Sequence, residues 1–261
     1  MKRFIVLAAA ATSALLAANG CSDSTSPPRP ATVVAVNTVR DTIVGQRVND
    51  SLAVKVADSG GNPLSGITVT WAVTSGGGAV APTTTTTNAA GIAKAAWTVG
   101  PTAGANTVTA TVSGLAPVAF TVQARLETFS ASLNGASENP PKTATGTGTA
   151  SYTLNATGDT VSYTVTVSGL SGPPTGLHIH APADSVTNAP VRVPLTITNP
   201  VITGTIATGK FTVTNIVNPS GVTPINSLAE LLALMRNGQT YTNVHTALNP
   251  GGEIRGQNHQ P

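Results

Sequence analysis

Three of the four histidines lie in short alternating segments whose spacing could build a metal site. His178 and His180 are two residues apart, so in a β-strand both imidazoles point to the same face of the sheet. His245 lies in a second alternation that begins at Tyr241. If the two strands are neighbours, three imidazoles meet with one coordination position open. That set suits zinc or copper, and no other cofactor is expected.

The same residues also have a purely structural interpretation. His178 and His245 would then donate hydrogen bonds to loop carbonyls or pack against Tyr241. Glu253 and Arg255 share a strand face and are expected to form a charge-assisted pair beside them. The sequence leaves the metal site and the structural interpretation open.

An acid-base site is the third interpretation, with Glu253 as general base and His245 as general acid in a cleft. A nucleophile elbow, a phosphate loop, paired carboxylates and an HExxH motif are all missing from the sequence. We therefore predict that the protein is not an enzyme.

Alternating apolar residues recur throughout the chain and predict the strands that position these side chains. Turn signals rich in Gly, Asn, Pro and Ser separate the runs. Short strands at this spacing indicate an all-β protein. The main runs in the first half begin at Leu52, Ile67, Val108 and Val118, and those in the second half begin at Phe129, Ala150, Val161 and Val191. The last of these runs extends to Ile197, and the C-terminal tail that contains His259 is expected to be disordered.

One helix is predicted within the second half. Ser227 and Glu230 form a capping box, and Gly238 lies where a C-terminal cap is expected. Leu228 and Met235 share its apolar face, which is expected to cover an open end of the sheet.

The first half resembles a known domain. The segment from Asp58 to Trp71, the turn from Asn88 to Gly91 and the segment from Trp97 to Gly100 resemble the bacterial immunoglobulin-like domain of the invasin and intimin type. The resemblance implies a β-sandwich of the kind that serves as a rigid stalk unit in surface adhesins. Trp71 and Trp97 fall at alternating strand positions, so they are expected in the core rather than on an exposed ligand platform.

The second half resembles the CHRD domain, named from chordin. The resemblance rests on three segments and runs from about Phe129 to Gln257: 138–141 (ENPP), 177–180 (LHIH) and the C-terminal block 241–257. It implies a sandwich or barrel of undefined biochemical role. The His-x-His strand is also loosely similar to copper/zinc superoxide dismutase. The further His and Asp ligands of that family cannot be found, so its activity is not predicted.

The N-terminus has the features of an export signal. Lys2 and Arg3 precede an apolar run that is too short for a membrane span, and Cys21 follows small residues in a segment resembling the bacterial lipobox. Cys21 is therefore expected to carry lipid. The alternative is cleavage by the general signal peptidase, which leaves a free thiol. A cell-envelope lipoprotein is predicted, at the outer membrane or cell surface.

Composition limits the partners. Two of the 13 Lys and Arg residues belong to the leader and 10 residues are acidic, so the mature net charge is +1. No nucleic-acid partner is expected, because the basic and aromatic surface that such a partner needs is missing. The partner besides the membrane is expected to be an unidentified protein or glycan. The predicted domain organisation is residues 1–20 as signal peptide, 21–30 as spacer, 31–125 as Ig-like domain and 126–261 as CHRD domain.

Overall fold

The structure is a computed structural model, and it describes residues 28–261. The predicted signal peptide, the lipidation site Cys21 and most of the predicted spacer lie outside the described residues. Nine strands form two sheets in the first half of the described chain. They are β1 (Thr32–Ala35), β2 (Thr42–Ile43), β3 (Leu52–Ala57), β4 (Thr68–Ser75), β5 (Gly78–Ala81), β6 (Thr84–Thr86), β7 (Ile92–Val99), β8 (Gly104–Thr111) and β9 (Val118–Arg125).

The two sheets of the first half enclose one apolar core. One sheet has the strand order β1-β3-β7-β5, and the other has the order β2-β9-β8-β4-β6. Period-two alternation sends one face of each strand inward, as β9 shows with Phe120, Val122 and Ala124 buried. Trp71 and Trp97 are only 1% and 0% exposed, which confirms their predicted place in the core.

The second half is one eight-stranded sheet with the order β14-β13-β16-β17-β10-β11-β12-β15. Backbone hydrogen bonds from Leu195 to Leu177 and from Thr198 to Ile206 join the segment after β14 to both β13 and β15. The sheet therefore curls around its core, as in a sandwich or barrel. Its strands are β10 (Thr128–Asn134), β11 (Thr147–Leu154), β12 (Val161–Ser168), β13 (Pro174–His180), β14 (Val191–Pro194), β15 (Gly204–Phe211), β16 (Tyr241–Thr246) and β17 (Ile254–Gln257).

The predicted helix is present as α1 (Leu228–Arg236). Ser227 caps its N-terminus by accepting a hydrogen bond from the Glu230 amide. Glu230 in turn accepts from the amide of Asn226, one residue earlier than a standard capping box would place it. The apolar face, with Leu231 and Met235 fully buried, packs on the core of the curled sheet.

Two segments differ from what the sequence pattern indicates. The alternation that begins at Val191 is expected to continue to Ile197, but strand β14 ends at Pro194. After one further hydrogen bond to β13, from the Leu195 amide, the segment turns to β15, to which Thr198 bonds. The C-terminal tail, expected to be disordered, pairs with β10 instead through backbone hydrogen bonds between Ser130 and His259.

Candidate metal centre

The three predicted ligands lie on two neighbouring strands. β13 pairs antiparallel with β16, and the register places His178 opposite Asn243 and His245 opposite Gly176. Ile179 points into the core, so His178 and His180 point to the other face. The structure thus brings together all three histidines that the sequence singled out.

Gly176 leaves the space that two of these imidazoles occupy. A Cβ atom at this position would lie 3.1 Å from Cε1 of His178 and 3.2 Å from Cδ2 of His245. These distances are tighter than ordinary van der Waals contact, so a larger residue would push the rings apart. A glycine opposite His245 therefore allows the rings to approach each other.

One ring nitrogen from each histidine lies within 4.8 Å of those of the other two. Nδ1 of His178 is 3.1 Å from Nε2 of His245. Nε2 of His245 and Nε2 of His180 are each 3.1 Å from Oδ1 of Asn243. Four potential ligand atoms therefore converge on one point of the sheet surface.

Two of the imidazoles are oriented by backbone carbonyls. Nδ1 of His180 donates to the carbonyl of Ala189 at 2.8 Å, and Nδ1 of His245 donates to the carbonyl of Pro250 at 2.9 Å. A carbonyl only accepts, so Nδ1 carries the proton in each neutral ring and Nε2 is left with its lone pair. Histidine ligands of metals are commonly held by this kind of outer hydrogen bond.

A stack of rings supports His180 from one side. The His180 imidazole lies parallel to the Tyr241 ring at 4.6 Å between centroids, and the Arg255 guanidinium lies 3.4 Å over the other face of Tyr241. Arg255 is also bound to the loop that provides the Ala189 carbonyl, through Asn188 Oδ1 and the carbonyls of Asp184 and Thr187. The buried cation therefore fixes both supports of His180.

The histidines are suited to binding a cation at neutral pH. Burial, together with the neighbouring His245 and His180, lowers the pKa of His178 to about 4. Burial also lowers the pKa of His180, against the opposing effect of its hydrogen bond to the Ala189 carbonyl. Both rings are thus neutral at pH 7, the form in which imidazole binds metals.

The expected pair between Glu253 and Arg255 is not formed. Glu253 precedes β17, next to Gly252 with its positive φ of 118°, so the strand alternation that would put both side chains on one face does not include it. Its carboxylate is buried, accepting hydrogen bonds from Ser171 and from two further side chains, Thr246 and Asn249. The charge-assisted pair was a wrong prediction.

Glu253 is also not placed to act on His245. Burial by itself would raise the pKa of Glu253, but hydrogen bonds from Ser171 and Thr246 outweigh that effect and hold the pKa below its ordinary value. Among residues 28–261 no hydrogen bond joins Glu253 to His245. Glu253 anchors the loop that carries the Pro250 carbonyl, and the structure does not assemble an acid-base pair.

Three contributors to the site were not predicted from the sequence as part of it. Asn243 was recognisable as a member of the Tyr241 alternation, but its oxygen was not assigned a role. The carbonyls of Ala189 and Pro250 belong to loops, and no residue type signals which loop carbonyl will meet an imidazole.

Comparison with known domain families identifies both halves of the chain. Residues 33–124 match the bacterial Ig-like domain (group 1), and residues 129–258 match the CHRD domain. The protein is therefore an Ig-like domain followed by a CHRD domain, as the two resemblances indicated. No curated protein sequence matches the chain.

Solved structures give weaker similarities. The Escherichia coli adhesin FdeC is 15% identical, with a TM-score of 0.35 over 87% of this chain and 63% of that one. The D0-D1 domain of intimin is 13% identical, with a TM-score of 0.29 over 68% and 84%. The Yersinia pseudotuberculosis adhesin InvE is 16% identical, with a TM-score of 0.29 over 88% and 58%. The chain thus spans less than two thirds of the FdeC and InvE chains.

Within residues 28–261, no helix combines the length and the apolar character that crossing a bilayer requires.

Proposed function

We propose that this protein is an exported, non-enzymatic binding protein of the cell envelope whose CHRD domain holds a zinc or copper ion at His178, His180 and His245. The observation that carries the proposal is the convergence of three ring nitrogens within 4.8 Å of one another. Three imidazoles on paired strands form a donor set that suits these two ions.

The surroundings of the cluster support metal binding over a purely structural role. Hydrogen bonds from Nδ1 to backbone carbonyls hold His180 and His245 so that Nε2 of each ring faces the centre of the cluster. The low pKa of His178 means that protons do not compete with a metal ion for this ring at pH 7. A structural role accounts for the bonds to Ala189 and Pro250. It does not require the three remaining ring nitrogens to converge.

The metal content of the full chain, purified without a His tag, tests this proposal. We expect about one zinc or copper ion per chain by inductively coupled plasma mass spectrometry, and loss of that ion when the three histidines are changed to alanine. His259→Ala is the matched control, because the imidazole of this fourth histidine bonds to the Gln257 carbonyl and lies outside the cluster. A folded wild type that neither contains nor takes up either ion contradicts the proposal.

The domain composition favours a second role, in adhesion or as a scaffold. Bacterial Ig-like domains of this type resemble the stalk units of surface adhesins, and here one such domain precedes the CHRD domain. We propose that lipid on Cys21 holds the protein at the envelope, at the outer membrane or cell surface. The Ig-like domain would then present the CHRD domain to a protein or glycan partner.

Labelling with a radioactive fatty acid tests the anchor. The wild type is expected to incorporate label and to fractionate with membranes, whereas Cys21→Ser is expected to do neither. An unlabelled wild type with a free thiol at Cys21 would support cleavage by the general signal peptidase instead.

A further inference from the structure

We infer that Asn243 is a fourth ligand, so that the metal centre is a closed site of three imidazole nitrogens and one amide oxygen. This inference rests on the proposed metal site and extends it. It assigns a role to a side chain that the histidine pattern alone does not include.

Three of the distances among the four ligand atoms are close to those around a four-coordinate ion. Zinc–nitrogen bonds of roughly 2.0–2.1 Å at tetrahedral angles place neighbouring ligand atoms about 3.3 Å apart. Oδ1 of Asn243 lies 3.1 Å from Nε2 of both His180 and His245, and His178 Nδ1 lies 3.1 Å from Nε2 of His245. Three contacts thus approach the edge length of a zinc-centred tetrahedron.

The hydrogen-bonding chemistry points the same way. In the neutral tautomer whose Nδ1 proton faces a backbone carbonyl, Nε2 of His180 and of His245 carries only a lone pair. The carbonyl oxygen of Asn243 is also an acceptor. Contacts between acceptors are repulsive without a donor between them, and a divalent cation at their centre makes all of them attractive.

The position of Asn243 is fixed by the sheet. Its strand, β16, is paired on one side with β13 and on the other with β17, so Asn243 lies between His178 and Arg255 in the register. Its side chain is only 3% exposed. Little reorganisation is therefore needed for this oxygen to act as a ligand.

A fourth protein ligand decides what the ion can do. Catalytic zinc sites keep one position for water or substrate, whereas sites filled by four protein ligands hold the ion without activating water. The closed set therefore favours storage of the ion or a structural role for it over hydrolysis.

Zinc titration against a chromogenic chelator, together with visible spectra of the cobalt-substituted full chain, tests the role of Asn243. We expect Asn243→Ala to weaken zinc binding by at least about tenfold and to change the cobalt spectrum, since solvent takes the vacated position. We expect Asn243→Asp to bind zinc more tightly than the wild type, because a carboxylate oxygen replaces a neutral one. Asn258→Ala is the control for loss of a buried asparagine, since Asn258 bonds to Thr240 and Thr242 away from the cluster.

The outcomes separate this inference from the proposal beneath it. A folded Asn243→Ala variant with the affinity and cobalt spectrum of the wild type would overturn the fourth ligand and leave the three-histidine site intact. Weaker zinc binding in both Asn243→Ala and Asn243→Asp would also overturn the fourth ligand. That result would mean that the Asn243 amide donates to the imidazoles through Nδ2. A wild type that binds no zinc or cobalt would overturn both.

Discussion

The Ig-like and CHRD domains are built from the same kind of alternating strand, but they bury different side chains. Within residues 28–261, the first domain buries only two polar side chains, Thr87 and Asn106. The other buried polar or charged side chains all lie at or after Glu127, among them His180, Asn243 and Arg255. Burying polar groups costs free energy unless they are paired, so the second domain depends far more than the first on polar contacts in its interior.

The two domains are therefore stabilised in different ways. The first domain depends on apolar packing around two tryptophans. In the second domain, Arg255 and Glu253 are bound almost wholly to neutral groups and hold the loops around the histidine cluster. Substitutions in each domain test this difference.

Trp97→Ala should produce the largest change. Trp97 is fully buried in the core of the first domain, and truncating such a ring costs about 3–5 kcal/mol. Scanning calorimetry should show the transition of the Ig-like domain at lower temperature, with the CHRD transition and the zinc affinity unchanged. A matching shift of the CHRD transition would mean that the two domains do not fold as separate units.

Arg255→Ala should destabilise the CHRD domain and leave the transition of the Ig-like domain unchanged. It removes three part-buried hydrogen bonds to the loop of residues 184–188 and the stack on Tyr241, at a cost of about 2–4 kcal/mol. The CHRD transition should fall, and zinc binding should weaken because His180 loses its support. Arg255→Lys keeps the charge without the planar fork and should lie between the two. Unchanged zinc affinity would show that the stack does not hold His180.

Glu138→Gln should change the stability of the folded protein by a smaller amount that depends on pH. Glu138 is 6% exposed, its Oε1 has no hydrogen-bond partner within the described residues 28–261, and burial raises its pKa to about 7 against the opposing influence of Arg255. A carboxyl group whose pKa is raised by folding contributes stability below its unfolded pKa, near 4.5, and loses it as the pH rises through about 7.

The variant should therefore be more stable than the wild type by about 2–3 kcal/mol at pH 8, and the two should converge near pH 4.5. Chemical denaturation at both pH values measures this difference. The histidines are the same in both proteins, so their own titration cancels. A constant difference across the pH range would show that Glu138 is ionised throughout and that the amide acts by another route.

The sequence alone determined the all-β class, the core positions of both tryptophans, the helix near residue 230 and the three histidines. Each of these depends on local periodicity or on a capping motif, which the chain carries wherever it folds. The metal site required that the strands now seen as β13 and β16 be neighbours. The sequence could not show that they are.

Tertiary structure decided the partners of the buried charges. Glu253 and Arg255 are two residues apart, yet Glu253 turns to Ser171 and Arg255 to Asp184, because the backbone at Gly252 leaves the strand conformation. The convergence of Asn243 with the histidines, and the choice of Ala189 and Pro250 as carbonyl acceptors, depend likewise on how the sheet curls and where its loops lie. No local pattern encodes such contacts, because they join residues far apart in the chain.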